Sequence, residues 1–331
     1  MPPSTSERTE SVPPIGPPAP ARGWLFAPWI DALLLANVAW PLIVLAQLGE
    51  GFVGRSGLQF WQIYYVTTPH RWVTLLLVFG DRDRFRRRRL AFVGVAAAVG
   101  AVCLGVRFST GAFTCLLAID YVWNAWHFAA QHHGVYRAYG RASNPPDPTG
   151  SAVEKWAMRL FLLYTTLRVV TATWPDQSAE RWLRPADWFA LGAPAGLVVR
   201  ELARAGPGSQ GRGLYLLSVC ALYTALLWAV HERRPGLILS LATASALFHA
   251  TEYLALVSWS VRRRRASVGN EMGLLGGLAA RWGLTLAVFV VVLGAGGWLL
   301  ERHYIELWLG VNVVVAFLHY AYDAMIWHRR A

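Results

Sequence analysis

Charge is scarce in this chain. Only 15% of its 331 residues are Asp, Glu, Lys or Arg, where an ordinary soluble domain carries about a quarter. Cysteine is scarcer still. Cys103, Cys115 and Cys220 all lie in apolar segments and have no CxxC spacing, which excludes thiolate zinc sites and Fe–S clusters and leaves them as small core residues. No glycine-rich nucleotide or flavin motif is present, so any electrons a reaction needs must come from elsewhere. The HxxHH boxes of membrane alkane hydroxylases and fatty-acid desaturases are also missing; Gln131-His132-His133 is the nearest string. No signal peptide is expected, because the first apolar run starts at residue 24 without a cleavage-like end.

What the chain has instead is apolar length. Hydrophobic residues make up 55% of it, at a mean hydropathy of +0.35. Many windows run about 20 residues with hardly a charge, enough to cross a bilayer as a helix. The reading is an all-α, polytopic transmembrane bundle integral to a bacterial inner membrane. Residues 1–22, rich in Pro, Ser and Glu, have no apolar run and are expected to be a disordered tail. Residues 23–331 form a single transmembrane domain. Ten spans are expected, at 24–48, 58–80, 90–108, 112–135, 153–174, 186–203, 213–231, 235–261, 277–300 and 304–327. The sixth contains Pro194 among several Gly and Ala, so a re-entrant segment is its alternative.

The formal charge of +12 invites a nucleic-acid reading, but the arginines cluster at helix ends, as cytoplasmic loops collect them. With ten spans and a cytoplasmic amino terminus, twenty basic residues fall on the cytoplasmic side. They include the six arginines of 82–89 and Arg262–Arg265. Seven fall on the other side. Both termini are therefore expected in the cytoplasm.

Four histidines interrupt the apolar runs: His70, His127, His249 and His319, on spans two, four, eight and ten. An ionisable residue at membrane depth is a functional hypothesis by default. All four helices run the same way. The first arginine expected on the cytoplasmic side beyond each histidine (Arg82, Arg137, Arg262 and Arg329) follows at 12, 10, 13 and 10 residues, so at about 1.5 Å of rise per residue the four depths agree within roughly 5 Å. Polar companions share their faces. Gln131 follows His127 by four, Asp323 follows His319 by four, Glu252 and Tyr253 follow His249 by three and four, and Thr67 precedes His70 by three. These residues, with His132, are expected as further metal ligands or as groups that orient the imidazoles. Pro69 is expected to open its helix and free a carbonyl. Imidazoles with carboxylates and no thiolates favour iron with an open position for oxygen. The leading chemistry is oxidation of an apolar lipid or isoprenoid by a non-haem iron centre of one or two ions.

Blander roles apply elsewhere. His132 and His133 are expected near the interface, His328 at the interface, and His231 and His303 solvated at the opposite edge. Asp120 is expected to pair with Arg168. Asp31 and Asn37 have no assigned partner.

The segments Pro69-His70 with Asp81 beyond, Trp126-His127-Phe-Ala-Ala-Gln131-His-His-Gly134, His249-Ala-Thr-Glu-Tyr253 and His319-Tyr320-Ala-Tyr-Asp323-Ala-Met-Ile-Trp327 resemble those of a set of bacterial multi-spanning proteins. The nearest group with known chemistry is the Brp/Blh-like β-carotene dioxygenases. The resemblance covers four short motifs and lies in the pattern of four helical histidines. It implies a polytopic membrane enzyme holding iron on His70, His127, His249 and His319, and a carotenoid-like substrate.

Three other classes use the same layer. A b-type cytochrome would ligate haem by opposed histidines, such as His70 with His249 or His127 with His319. A transporter would pass protons or metal ions along His, Asp and Glu. A structural subunit would use the histidines only for helix–helix hydrogen bonds.

Overall fold

The computed structural model describes residues 23–50, 58–143, 151–173, 178–206 and 208–327, and every regular element among them is helical. The amino-terminal tail, His328 and the two last arginines lie outside the described residues. The helices are α1 (Pro28–Ile30, continued by a π turn at Asp31–Leu35), α2 (Trp40–Glu50), α3 (Leu58–Gln62, continued by a π turn at Ile63–Thr67), α4 (Thr68–Phe79), α5 (Arg82–Arg87) and α6 (Arg89–Thr110). They continue as α7 (Thr114–Ala142), α8 (Ala152–Thr173), α9 (Glu180–Ala203), α10 (Gln210–His231), α11 (Pro235–Val268), α12 (Leu274–Ala279), α13 (Trp282–His303) and α14 (Ile305–Trp327).

Local chemistry sets the boundaries. Asn37 sits in the left-handed region at φ 44° and breaks the first apolar segment, so Pro28–Leu35 and Trp40–Gly49 meet at 42°. The Asp81 carboxylate caps α5 by accepting from the Arg84 backbone N–H at 3.0 Å, the usual stop for an orphan first-turn donor. Pro235 starts α11 at a position where a missing N–H costs nothing. α9 is one continuous helix through Pro185 and Pro194.

Two packing units share α11. One is built around α10, whose Tyr215, Leu216, Leu222, Tyr223 and Leu226 are fully enclosed by α1, α2, α7, α8, α9 and α11. The other is built around α14, which packs on α4, α6, α7 and α13. Small residues allow the closest approaches: a Cβ at Gly294 would lie 2.6 Å from the Tyr65 ring, and one at Gly297 would lie 2.4 Å from the Trp308 ring. Such contacts carry helix association where lipid removes the hydrophobic driving force.

Among the described residues, five helices are long and apolar enough to cross a membrane: α6, α10, α11, α13 and α14. The bent α1–α2 pair makes a sixth. α6 and α13 are peripheral, with 11% of their apolar windows buried, against 61% and 67% for α10 and α11. α7, α8 and α9 are less apolar, and several of the charged residues on α8 and α9 are paired inside the bundle. Arg168 meets Glu180 at 2.7 Å and Asp187 at 3.1 Å, Arg212 meets Glu201 at 2.8 Å, and Arg200 meets Glu154 at 2.8 Å.

These pairs correct two sequence expectations. Asp120 does not pair with Arg168. Asp120 faces α14, where it accepts from the Tyr320 hydroxyl at 2.8 Å, whereas Arg168 turns to α9. His231 is not solvated: it is buried between Trp188 and Trp228, with Nδ1 3.0 Å from Asp187 Oδ2. His132 and His133, expected near the interface, are both buried among side chains, while His303 is exposed as expected. Asp31 acquires partners in the Tyr139 hydroxyl at 3.0 Å and the backbone N–H groups of Leu25 and Phe26.

A candidate metal centre

The four expected histidines meet where α4, α7, α11 and α14 converge. Their rings form a closed circuit. His70 lies 5.2 Å from His249 and 5.1 Å from His319, and His127 lies 5.2 Å from His249 and 4.8 Å from His319, centroid to centroid. His70, His249 and His319 are almost wholly buried.

His70 is aimed from its own helix, and His319 and His249 from neighbouring ones. Pro69 cannot donate a hydrogen bond and its ring crowds the preceding turn. The π turn over Ile63–Thr67 widens the backbone just before it, and the Thr67 carbonyl then accepts from Nδ1 of His70. A carbonyl only accepts, so Nδ1 carries the proton and Nε2 keeps its lone pair. His319 is fixed by a longer chain. Its Nδ1 lies 2.7 Å from Thr74 Oγ1, Thr74 Oγ1 lies 2.6 Å from the Tyr253 hydroxyl, and that hydroxyl donates to Asp323 Oδ1 at 2.5 Å. The carboxylate at the end sets the direction of every proton in the chain, and His319 Nε2 is again left with a lone pair. His249 lies flat on Phe128, with centroids 3.8 Å apart at 18°.

What these nitrogens lack is a partner. His70 Nε2, His127 Nε2, His319 Nε2 and both ring nitrogens of His249 are buried and make no hydrogen bond among the described residues. A buried unsatisfied polar group costs about 1–3 kcal/mol, and here four neighbouring rings carry five of them. Two sets of donor atoms each lie within 4.8 Å of one another, His70/His249/His319 and His127/His319/Asp323. Asp323 Oδ2 reaches 3.8 Å from His127 Nε2 and 3.9 Å from His319 Nε2. Ligand atoms around one ion at about 2.1 Å stand roughly 3–4 Å apart, so modest side-chain shifts would close either set on a cation. The two sets share His319.

The other expected residues divide. Asp323 and Tyr253 belong to the circuit. Gln131, His132 and Glu252 form an adjoining group. Gln131 Nε2 donates to the His249 backbone carbonyl at 3.0 Å and to Glu252 Oε1 at 3.2 Å, and His132 Nδ1 stands 3.1 Å from Glu252 Oε2. The group is tied to α10 by the Tyr215 hydroxyl, which donates to Glu252 Oε2 at 3.0 Å and lies 2.9 Å from His132 Nδ1. Thr67 contributes its carbonyl rather than its side chain.

Sequence reasoning missed Thr74, Tyr215, Phe128 and Arg71. Thr74 follows His70 by four and could have been found by the same spacing rule as Asp323. Tyr215 lies on a helix without a site histidine, and nothing in the sequence singles it out.

Comparison of the chain with protein-family models, with curated proteins and with solved structures finds no match.

Proposed function

We propose that this chain is a membrane-embedded, histidine-ligated metal oxidoreductase, with non-haem iron as its metal and an apolar lipid or isoprenoid as its substrate. The observation that carries the reading is that His70, His127, His249 and His319 have buried, unpartnered ring nitrogens and fall, with Asp323, into two donor sets that share His319. His70 Nε2, His127 Nε2, His319 Nε2 and one nitrogen of His249 would hold the ion, with Asp323 Oδ2 as the anionic ligand. Iron held there supplies oxidation of the substrate by dioxygen. A dioxygenase outcome needs no external electrons; a hydroxylase or desaturase outcome needs a redox partner.

The chain's own residues do the rest. Thr74 and Tyr253 hold His319 in one tautomer and keep a proton between Tyr253 and Asp323. Phe128 walls His249 from water. The Trp123 ring packs 5.5 Å from Tyr320, which packs 5.0 Å from His127, so an aromatic path leads from the outer face of α7 to the centre. That face carries an apolar groove of about 520 Å³ lined by Ala118, Ile119, Val122, Trp123 and Trp126. It suits a substrate arriving from the bilayer. His70 with His249, and His127 with His319, have ring centroids only 5.2 and 4.8 Å apart, closer than two imidazoles on opposite faces of a porphyrin, which favours a bare ion over haem b. The Brp/Blh-like pattern of four helical histidines fits the isoprenoid option.

The same reading takes the ten apolar segments as ten spans, since charges on α8 and α9 are neutralised inside the bundle and need not face lipid. The arginine asymmetry puts both termini in the cytoplasm, the centre nearer the cytoplasmic leaflet, and the protein in a bacterial inner membrane.

The test is plasma mass spectrometry of detergent-purified protein with an absorption spectrum of the same sample. Iron bound in proportion to chain, without a Soret band, is expected. A Soret band would move the protein to electron transfer. No metal after chelator-free purification and reconstitution would overturn the reading.

A further inference from the structure

Arg71 borders the histidine circuit, and its guanidinium is poorly served. It directly follows His70 and lies within electrostatic reach of His70, His127 and His319. Its nearest carboxylate oxygen is Asp120 Oδ2, 3.7 Å from Nη1. That is well outside the 2.7–2.9 Å of a charge-assisted hydrogen bond. Asp120 is already committed through Oδ1 to the Tyr320 hydroxyl at 2.8 Å. Arg71 Nε is buried and makes no hydrogen bond among the described residues. Arg168, in the same bundle, shows what a satisfied arginine looks like, with Glu180 oxygens at 2.7 and 2.8 Å and Asp187 oxygens at 3.1 and 3.3 Å. Arg71 also keeps 18% of its side chain exposed, whereas Arg168 keeps 1%.

We propose that Arg71 is the headgroup-binding residue of this site, and that the substrate is an apolar chain ending in a carboxylate. The assignment deepens the substrate reading above and rests on it. A carboxylate offers two oxygens to the guanidinium fork. Bound there it lies beside His70, and the chain attached to it runs among the aromatic residues of α7 and α14. The neutral hydrocarbon or alcohol of the same length lacks the group that Arg71 recognises.

The experiment is equilibrium binding of radiolabelled stearic acid to detergent-purified full-length protein. Stearyl alcohol, acetate and inorganic phosphate serve as competitors, and metal content is measured on the same preparations. The acid is expected to bind about tenfold or more tighter than the alcohol. Acetate and phosphate should fail to compete at comparable concentration. Arg71→Gln should abolish the preference, with Arg71→Lys intermediate and metal content unchanged in both. Equal binding of acid and alcohol to the wild-type protein would overturn the proposal even if neither variant folds. Displacement by acetate or phosphate as effective as by stearate would overturn the apolar-chain assignment. An acid preference that survives in Arg71→Gln would remove Arg71 from it. Absence of metal with an Arg71-dependent acid preference would sink the metal centre and leave the anion site standing.

Discussion

Two polar regions are buried in this bundle, and they are built on opposite principles. The first joins α8, α9 and α10 around Arg168. Its guanidinium is bracketed by Glu180 and Asp187, and Asp187 also accepts from Tyr164 at 2.7 Å and lies 3.0 Å from His231 Nδ1. The second joins α4, α7, α11 and α14 around four imidazoles whose inward nitrogens meet nothing. Breaking a satisfied buried pair is costly, because one charge is stranded. An unsatisfied cluster costs free energy as it stands, so its presence calls for a ligand that the chain itself does not supply. On the proposed reading the first region is scaffold and the second is site.

The sharpest way to break that contrast is metal binding. His319→Ala removes the residue common to both donor sets and should lower metal affinity by more than about 100-fold, beyond what losing an orienting group costs. His127→Ala should also reduce bound metal, while His303→Ala, at an exposed position, should leave it unchanged. Equal metal content in all three variants, measured by plasma mass spectrometry, would end the argument for convergence.

Stability should separate the regions by sign. Arg168→Met strands two carboxylates and should cost about 3–5 kcal/mol. His249→Leu deletes two unpartnered nitrogens and should stabilise the metal-free protein by about 1–3 kcal/mol. Added metal should then raise the melting temperature of the wild type and do less for His249→Leu. Thermal unfolding in detergent reads all of this. If both substitutions destabilise the metal-free protein alike, the distinction between satisfied scaffold and unsatisfied site fails.

A smaller effect is expected from the groups that aim the rings. Thr74→Val and Tyr253→Phe each cut the chain from His319 to Asp323 while leaving every proposed ligand in place. Metal affinity should fall by about 10–100-fold. Competition with a chelator of known affinity would show it, and unchanged affinity would mean that His319 is held by packing alone.

Much of the second region was legible in the sequence because it depends on helical arithmetic. Four histidines at matched distances from helix-terminal arginines must lie at one depth, and i,i+4 spacing put Asp323 on the face of His319. The first region was not legible. Nothing local says that Arg168 turns to Glu180 and Asp187 rather than to Asp120, since that depends on which face of α8 meets α9. His231 looked like a solvated helix end for the same reason: the two Trp rings that bury it come from the packing of α9 against α10. Gln131, His132 and Glu252 were correctly placed near the histidines. Yet spacing alone could not distinguish a ligand from a neighbour tied to Tyr215 on another helix.

The least disruptive test lies outside the membrane layer, where α5 meets α11. Arg264 binds Asp81 and also donates to Asp83 at 2.6 Å, and Arg87 donates to Asp83 at 2.8 Å. These hydrogen bonds, that of Arg87 foremost, hold the Asp83 carboxyl below its ordinary range. A carboxyl with a depressed folded value contributes stability that is present above its unfolded value, near pH 3.9, and lost as pH falls through the folded one. Asp83→Asn should therefore flatten the acid side of the stability profile below about pH 4 and leave metal content at neutral pH untouched. A change in metal content would show that this corner, fully paired though it is, is coupled to the histidines through α4 and α11. Pairing alone would then no longer separate scaffold from site.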